Sequence, residues 1–234
     1  MELSIVYDNY VYDKSFRPGS GFACLIKTGK NTVLFDTGAH ISILLYNLNK
    51  LGVAPKEIDR IALSHLDSDH TGGLFGLLEK TENPTVYVPA IFPGQYKRRI
   101  SYFNAQVKEV SSSQEICDRV ISTGGIGRGI VEQGLILTSN HGAVVVIGCG
   151  HPSVRKIVEA AQAVIKGKID MIAGGFDMEG FSEPELREAA LFLKETGIKR
   201  VAPSHCSGDT AIEYLRREFG DGFVESGVGR TILV

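Results

Sequence analysis

Ser64-His65-Leu66-Asp67-Ser68-Asp69-His70-Thr71-Gly72-Gly73 gathers two imidazoles and two carboxylates behind a short apolar run and ahead of a glycine pair. The run Arg60-Ile61-Ala62-Leu63-Ser64 reads as a short buried strand that ends where the chelating side chains begin. Thr71-Gly72-Gly73 then releases the chain into a helix carrying Leu74, Leu77 and Leu78. Unpaired ionisable groups at such a packed junction are costly to desolvate, and a bound cation offsets that cost. A solvated acidic loop is the competing reading of this stretch taken alone.

Outward from it, the patterning places further elements. Residues 2–8 alternate as an edge strand, and 22–27 with 32–35 read as a hairpin across Gly29-Lys30-Asn31. The second arm runs straight into Asp36-Thr37-Gly38. Ile41, Leu44, Leu45, Leu48 and Leu51 follow the helical period and Gly52 supplies the stop, so 41–51 is a helix, with a second short one at 55–59. Further strands are expected at 84–90, 106–110, 119–122, 130–138 and 143–148. The second half alternates: helix 152–165, strand 169–173, helix 183–195, strand 198–202, helix 209–218, strand 230–234. No repeat, linker or low-complexity segment divides the chain, which reads as one domain over 1–234. The expected class is α+β, a four-layer αββα sandwich of two mixed β-sheets with helices on the outer faces and the ligand-bearing loops along one rim.

Three more strands end on metal-capable residues. Val144 to Gly150 leads into His151, with Pro152 opening the next helix. Ile169 to Gly175 leads into Phe176-Asp177, and Lys199 to Ser204 into His205-Cys206. One histidine at a strand end is more often a hydrogen-bonded structural residue. Four strand ends making the same choice point to one shared centre.

Composition narrows the rest. The chain has 234 residues, 43% of them hydrophobic, and a net charge of −2, which gives no electrostatic footprint for nucleic acid or a membrane surface. Met1 to Tyr7 lacks the basic and apolar regions of a signal peptide, and no apolar run reaches spanning length. Cys24, Cys117, Cys149 and Cys206 form no CxxC pair, so reduced thiols and a cytoplasmic location are expected. Cys149 and Cys206, each beside a histidine, read as small packing residues.

Asp36-Thr37-Gly38 after a strand, His65-x-Asp67-x-Asp69-His70, and then His151, Asp177 and His205 resemble the five-motif order of the metallo-β-lactamase superfamily. The likeness runs from residue 33 to residue 206. Val33–Gly38, Leu63–Leu74, Gly148-Cys149-Gly150-His151-Pro152, Gly174-Gly175-Phe176 and His205-Cys206-Ser207-Gly208 are similar to one branch, labelled as a synthase of a dihydropterin-linked ribofuranosylaminobenzene phosphate. Two residues depart from the patterns: Asp67 replaces the second histidine of HxHxDH, and Asp177 stands where the branch commonly has histidine. The resemblance implies two divalent metal ions, the first held by His65, Asp67 and His151. Asp69, His70 and His205 would hold the second, with Asp177 bridging and Asp69 also the catalytic carboxylate. Asp36 would orient the metal loop by accepting hydrogen bonds, its alternative role being a turn cap. Zinc is the leading metal because it accepts His and Asp without geometric demands. Iron and manganese are rivals, favoured by the added carboxylate, and a mononuclear centre is the other outcome Asp67 allows. The implied chemistry is attack by a metal-bridged hydroxide on a carbonyl or phosphorus.

Tyr96, Arg98 and Arg99, with Lys97 and Tyr102, offer a cationic and aromatic wall for substrate binding, against the alternative of a solvated helix face. The segment Thr123 to Gly129 reads as a flexible loop near the mouth, not a nucleotide cradle. His40 and His141 read as incidental. The expected function is a metal-dependent hydrolase of a phosphoester or another small anionic ester. Alternatives are a diiron-type oxidoreductase, a synthase or transferase acting on a pterin-like phosphate, and a binding module without activity. No nucleic-acid or membrane partner is expected, and a homo-oligomer is compatible with the sequence.

Overall fold

Period-two alternation sorts the apolar residues of each strand onto two faces, and both faces are covered. The computed structural model describes residues 1–234. Its first half runs β1 (Glu2–Tyr7), β2 (Ala23–Lys27), β3 (Thr32–Phe35), α1 (Ile41–Lys50), β4 (Arg60–Ala62), α2 (Ser68–Thr71), α3 (Leu74–Leu78), β5 (Thr85–Pro89), α4 (Gly94–Ser101) and β6 (Gln106–Val110). The second half runs β7 (Gln114–Cys117), β8 (Val120–Ser122), β9 (Leu135–Ser139), β10 (Gly142–Ile147), α5 (Val154–Val164), β11 (Ile169–Gly175), α6 (Glu183–Glu195), β12 (Arg200–Ser204), α7 (Asp209–Phe219) and β13 (Thr231–Leu233).

One sheet has the order β13-β1-β2-β3-β4-β5-β6 and the other β12-β11-β10-β9-β8-β7. Both are mixed: β3 to β6 run parallel in the first, and β10 to β12 in the second. Leu3, Ile5, Cys24, Val33 and Phe35 of the first sheet meet Leu135, Leu137, Val144, Val146 and Ala173 of the second in an inner core. Val145, Ile147 and Ile172 point the other way, under Ile157, Leu186 and Leu215 of α5, α6 and α7. Leu25, Leu34 and Val86 lie under Leu44, Leu74 and Ile100 of α1, α3 and α4. The result is the four-layer α+β sandwich the sequence leads one to expect.

Several details differ from that expectation. β1 is not an edge strand, because β13 returns from the far end of the chain to pair with it (Leu3 opposite Ile232). β7 has no counterpart in the sequence reading; its mixed Gln-Glu-Ile-Cys composition suits the sheet edge it occupies. Residues 55–57 form a single 3₁₀ turn. Pro152 stands outside α5, whose N-cap is Ser153, its hydroxyl accepting from the Lys156 N–H at 3.4 Å. Residues 130–134 are not strand, and their side chains do other work.

Gln133, fully buried, bridges the sheets. Its Nε2 donates to the Leu63 carbonyl at 2.8 Å and the Tyr87 carbonyl at 3.3 Å, while its Oε1 accepts from Ser122 Oγ at 2.6 Å. Gln133→Ala leaves those groups unsatisfied and is expected to lower unfolding free energy by about 2–4 kcal/mol in urea titration, with the slope unchanged. A loss below about 0.5 kcal/mol would contradict this role.

Candidate metal centre

Asp36 follows β3 with a left-handed backbone (φ 60) and is completely buried. Its Oδ1 accepts the Ser64 N–H at 2.7 Å, and its Oδ2 accepts both the Ser64 hydroxyl at 2.6 Å and His70 Nδ1 at 2.8 Å. The Ser64 hydroxyl proton is thereby committed, so its oxygen accepts from His65 Nδ1 at 2.9 Å. One carboxylate therefore fixes the tautomer of two imidazoles, turning both Nε2 atoms toward the same space. The parallel register that sets Phe35 beside Ala62 makes this possible, because the two chains leave the sheet side by side. The end of β10 closes over the pair at Gly148, where a Cβ would lie 2.3 Å from Ser64 Oγ and 2.9 Å from Asp36 Oδ2.

The second sheet brings the other imidazoles. His205, also left-handed (φ 53), donates from its backbone N–H to Asp8 Oδ1 at 3.2 Å and from Nδ1 to Asn9 Oδ1 at 3.0 Å. Its Nε2 lies 3.1 Å from His70 Nε2. His151 Nε2 lies 3.2 Å from His65 Nε2. The loop bearing His151 wraps around the carboxylate of Glu132, which accepts the N–H groups of Cys149, Gly150 and His151 at 2.9–3.1 Å. Burial pushes the Glu132 carboxyl up even so.

Carboxylates complete the arrangement from the solvent side. Asp67 Oδ2 is 3.5 Å from His65 Nε2 and 3.6 Å from His151 Nε2. Asp69 Oδ2 is 3.7 Å from His70 Nε2 and 3.5 Å from His205 Nε2. Asp177 (φ 50) sets Oδ2 3.5 Å from His151 Nδ1. The His65 and His70 rings are 4.2 Å apart, joining the two halves.

Electrostatics differ sharply within the group. Burial, followed by the neighbouring His70 charge, pulls His65 and His205 down to about 4. Burial pulls His70 down too, but the charge and hydrogen bond of Asp36, joined by Asp69, outweigh it and leave His70 raised. With both Nδ1 atoms already donating, the facing His70 and His205 Nε2 atoms need a positive centre between them, and a proton on either ring would supply one. A divalent cation fits there as well. Nitrogens bound at about 2.0–2.1 Å to one tetrahedral ion lie roughly 3.3 Å apart, close to the observed separations.

The structure thus gathers His65, Asp67, Asp69, His70, His151 and His205 around one space, with Asp36 beneath them; Asp177 stands beside this group, at the Nδ1 face of His151. It does not bring Tyr96, Arg98 or Arg99 to that space. Tyr96 packs in an aromatic group with Phe75 and Phe92, Arg99 stacks 3.8 Å above the Phe75 ring, and Arg98 is exposed. Of the segment 123–129 only Gly127, Arg128 and Gly129 border a cleft beside His151, while Thr123 and Gly124 are buried. Cys149 and Cys206 pack sulfur to sulfur at 2.8 Å, and all four cysteines are free. Sequence reasoning missed Ser64, Glu132, Asp8 and Asn9. Asp8 and Asn9 follow β1 directly and obey the strand-end rule that picks out the other site residues. Glu132 is the lone acid within an apolar run.

A family model of the metallo-beta-lactamase superfamily matches residues 16–205. Over 270 aligned residues the chain is 25% identical to the 7,8-dihydropterin-6-methyl-4-(beta-D-ribofuranosyl)-aminobenzene-5'-phosphate synthase of Methanocaldococcus jannaschii, covering 94% of this chain and 92% of that one. The fold is similar to that of Tm1679, a metal-dependent hydrolase of the beta-lactamase superfamily, with a TM-score of 0.85, 24% identity, and 100% and 99% of the two chains covered. It is also similar to a diphosphatase from the PhnP family, with a TM-score of 0.64, 15% identity, and 100% and 97% covered.

Metal requires unprotonated imidazoles, so affinity falls as pH falls. His65 and His205 protonate only near 4, whereas His70, raised by Asp36, keeps to higher pH a proton that zinc must displace. Ring-proton NMR of the metal-free protein is expected to show His65 and His205 titrating near 4 and His70 at higher pH. A His70 that titrates with or below His65 and His205 would contradict the assignment. Ser64→Ala frees the His65 tautomer and is expected to weaken zinc binding about 10–100-fold; unchanged affinity would show that Ser64 does not orient it.

Proposed function

The chain belongs to the metallo-beta-lactamase superfamily, and from that membership we propose that it is a metal-dependent hydrolase of a phosphoester or another small anionic ester. The observation that carries this reading is the convergence of four imidazoles, in two Nε2 pairs 3.1 and 3.2 Å apart, beneath the carboxylates of Asp67 and Asp69, with Asp177 beside His151. His65, Asp67 and His151 would hold one divalent ion, and Asp69, His70 and His205 a second, with Asp177 shared. Zinc suits this His and Asp set best, while the added carboxylate at 67 makes iron or manganese its rivals. When bound, such ions act as Lewis acids on a phosphoryl or carbonyl oxygen and lower the pKa of water toward neutrality.

The chain's own residues supply the rest. Asp36, Ser64, Asn9 and Glu132 hold the imidazoles and their loops in place, so little reorganisation accompanies reaction. Asp69, with its side chain one-third exposed, stands at the solvent rim beside His70 and His205 Nε2. We assign its carboxylate the proton taken from the attacking water. No serine or cysteine nucleophile enters this scheme.

A synthase or transferase reaction is the second reading. It is favoured by the likeness to the M. jannaschii synthase, and it would direct the same groups at a substrate hydroxyl in place of water.

Zinc-reconstituted protein is expected to hydrolyse bis(para-nitrophenyl) phosphate, to lose activity on chelation, and to regain it on adding metal back. Asp69→Asn is expected to lower kcat by about 10²–10⁴-fold. Metal-bound protein that turns over no member of a phosphoester and carboxylic-ester panel would overturn the hydrolase reading. Undiminished activity in Asp69→Asn would overturn the role given to Asp69.

A further inference from the structure

Beside the metal-ligating cluster, and sharing His151 and Asp177 with it, a cavity of ≈ 310 Å³ opens between the start of α5, the loop after β11 and α6. Phe176, Met178, Phe181 and Phe192 form its apolar walls. The charged groups on those walls already have partners. Glu185 accepts the Ser182 N–H and hydroxyl at 2.7 and 2.6 Å, as the cap of α6. Arg155 donates to Glu188 at 3.1 Å and lies 4.1 Å above the Phe192 ring. What remains unpartnered is apolar. Phe181 in particular is 39% exposed and belongs to none of the three apolar cores.

We propose that this cavity receives a flat aromatic ring of the substrate, so that the enzyme acts on an aryl-bearing anionic ester. The ester group would lie at the His151–Asp177 end. The volume sits at the lower limit of small-ligand sites, about 300–1,000 Å³, and suits a compound of one or two rings, not a polymer. Three phenylalanines and a methionine favour a ring over an alkyl group of equal area, because edge and face contacts with rings and sulfur add to burial. The position of the reacting group rests on the hydrolase reading above; the preference for a ring does not.

The test compares the binding of naphthyl phosphate and methyl phosphate to the zinc-loaded full chain by calorimetry. Native protein is expected to prefer naphthyl phosphate by about tenfold or more. Phe181→Ala removes the exposed wall, and Ala189→Trp fills the cavity from α6. Each is expected to cut the affinity ratio about tenfold, with zinc content unchanged. Equal binding of the two phosphates by native protein, or a ratio that survives Ala189→Trp, would overturn the proposal. Turnover is measured separately: ring-selective binding without cleavage of any ester sinks the hydrolase reading and leaves the cavity assignment standing.

Discussion

The whole centre hangs on a single buried carboxylate. An unpaired Asp36 at zero exposure would be strongly destabilising, and the three donors from Ser64 and His70 offset that cost. In satisfying Asp36, those donors orient His65 through Ser64 and His70 directly, one imidazole for each half of the site. Thr37 adds a second hold, its N–H and hydroxyl both donating to the His70 carbonyl at 2.8 and 2.9 Å. The sheet exists in a form that permits this only because β3 and β4 are parallel neighbours. Neither sheet builds the site alone: His65 and His70 come from the first, and His151 and His205 from the second. Gln133 and the loop around Glu132 fasten the two together at that rim.

Much of this was legible in the chain, and the reason is physical. A buried strand that ends on His or Asp leaves a mark in sequence, because apolar alternation stops abruptly at a polar side chain. Val144–Ile147 before His151 and Ile169–Gly175 before Asp177 both show it. What escaped depends on partners distant in sequence. Nothing local in Glu2–Tyr7 says that residues 231–233 will cover its edge. Residues 130–134 carry a strand-like apolar pattern, but Glu132 is drawn inward by three backbone N–H groups and Gln133 by two carbonyls, so the segment serves as a clamp. The aromatic and cationic residues of α4 are a further case. Composition alone does not distinguish a ring that faces substrate from one that packs on Phe75.

Asp67 gives the centre its particular chemical character. The four imidazoles lie toward the buried base, two of them completely buried, while Asp67, Asp69 and Asp177 retain one-third to one-half of their side-chain exposure. A carboxylate at position 67 therefore adds negative charge where water still screens it, and the imidazoles keep the buried positions, where desolvation favours their neutral form. That division is visible in three of the histidines: His65 and His205 are held at about 4, and His70, bonded to Asp36, is raised.

The most direct test is elemental analysis of metal per chain in the native protein and in Asp36→Ala, each purified without added metal. The account predicts about two divalent ions per native chain and well below one in the variant, because both halves lose the group that orients them. One ion or none in the native protein, or an unchanged content in Asp36→Ala, would contradict it.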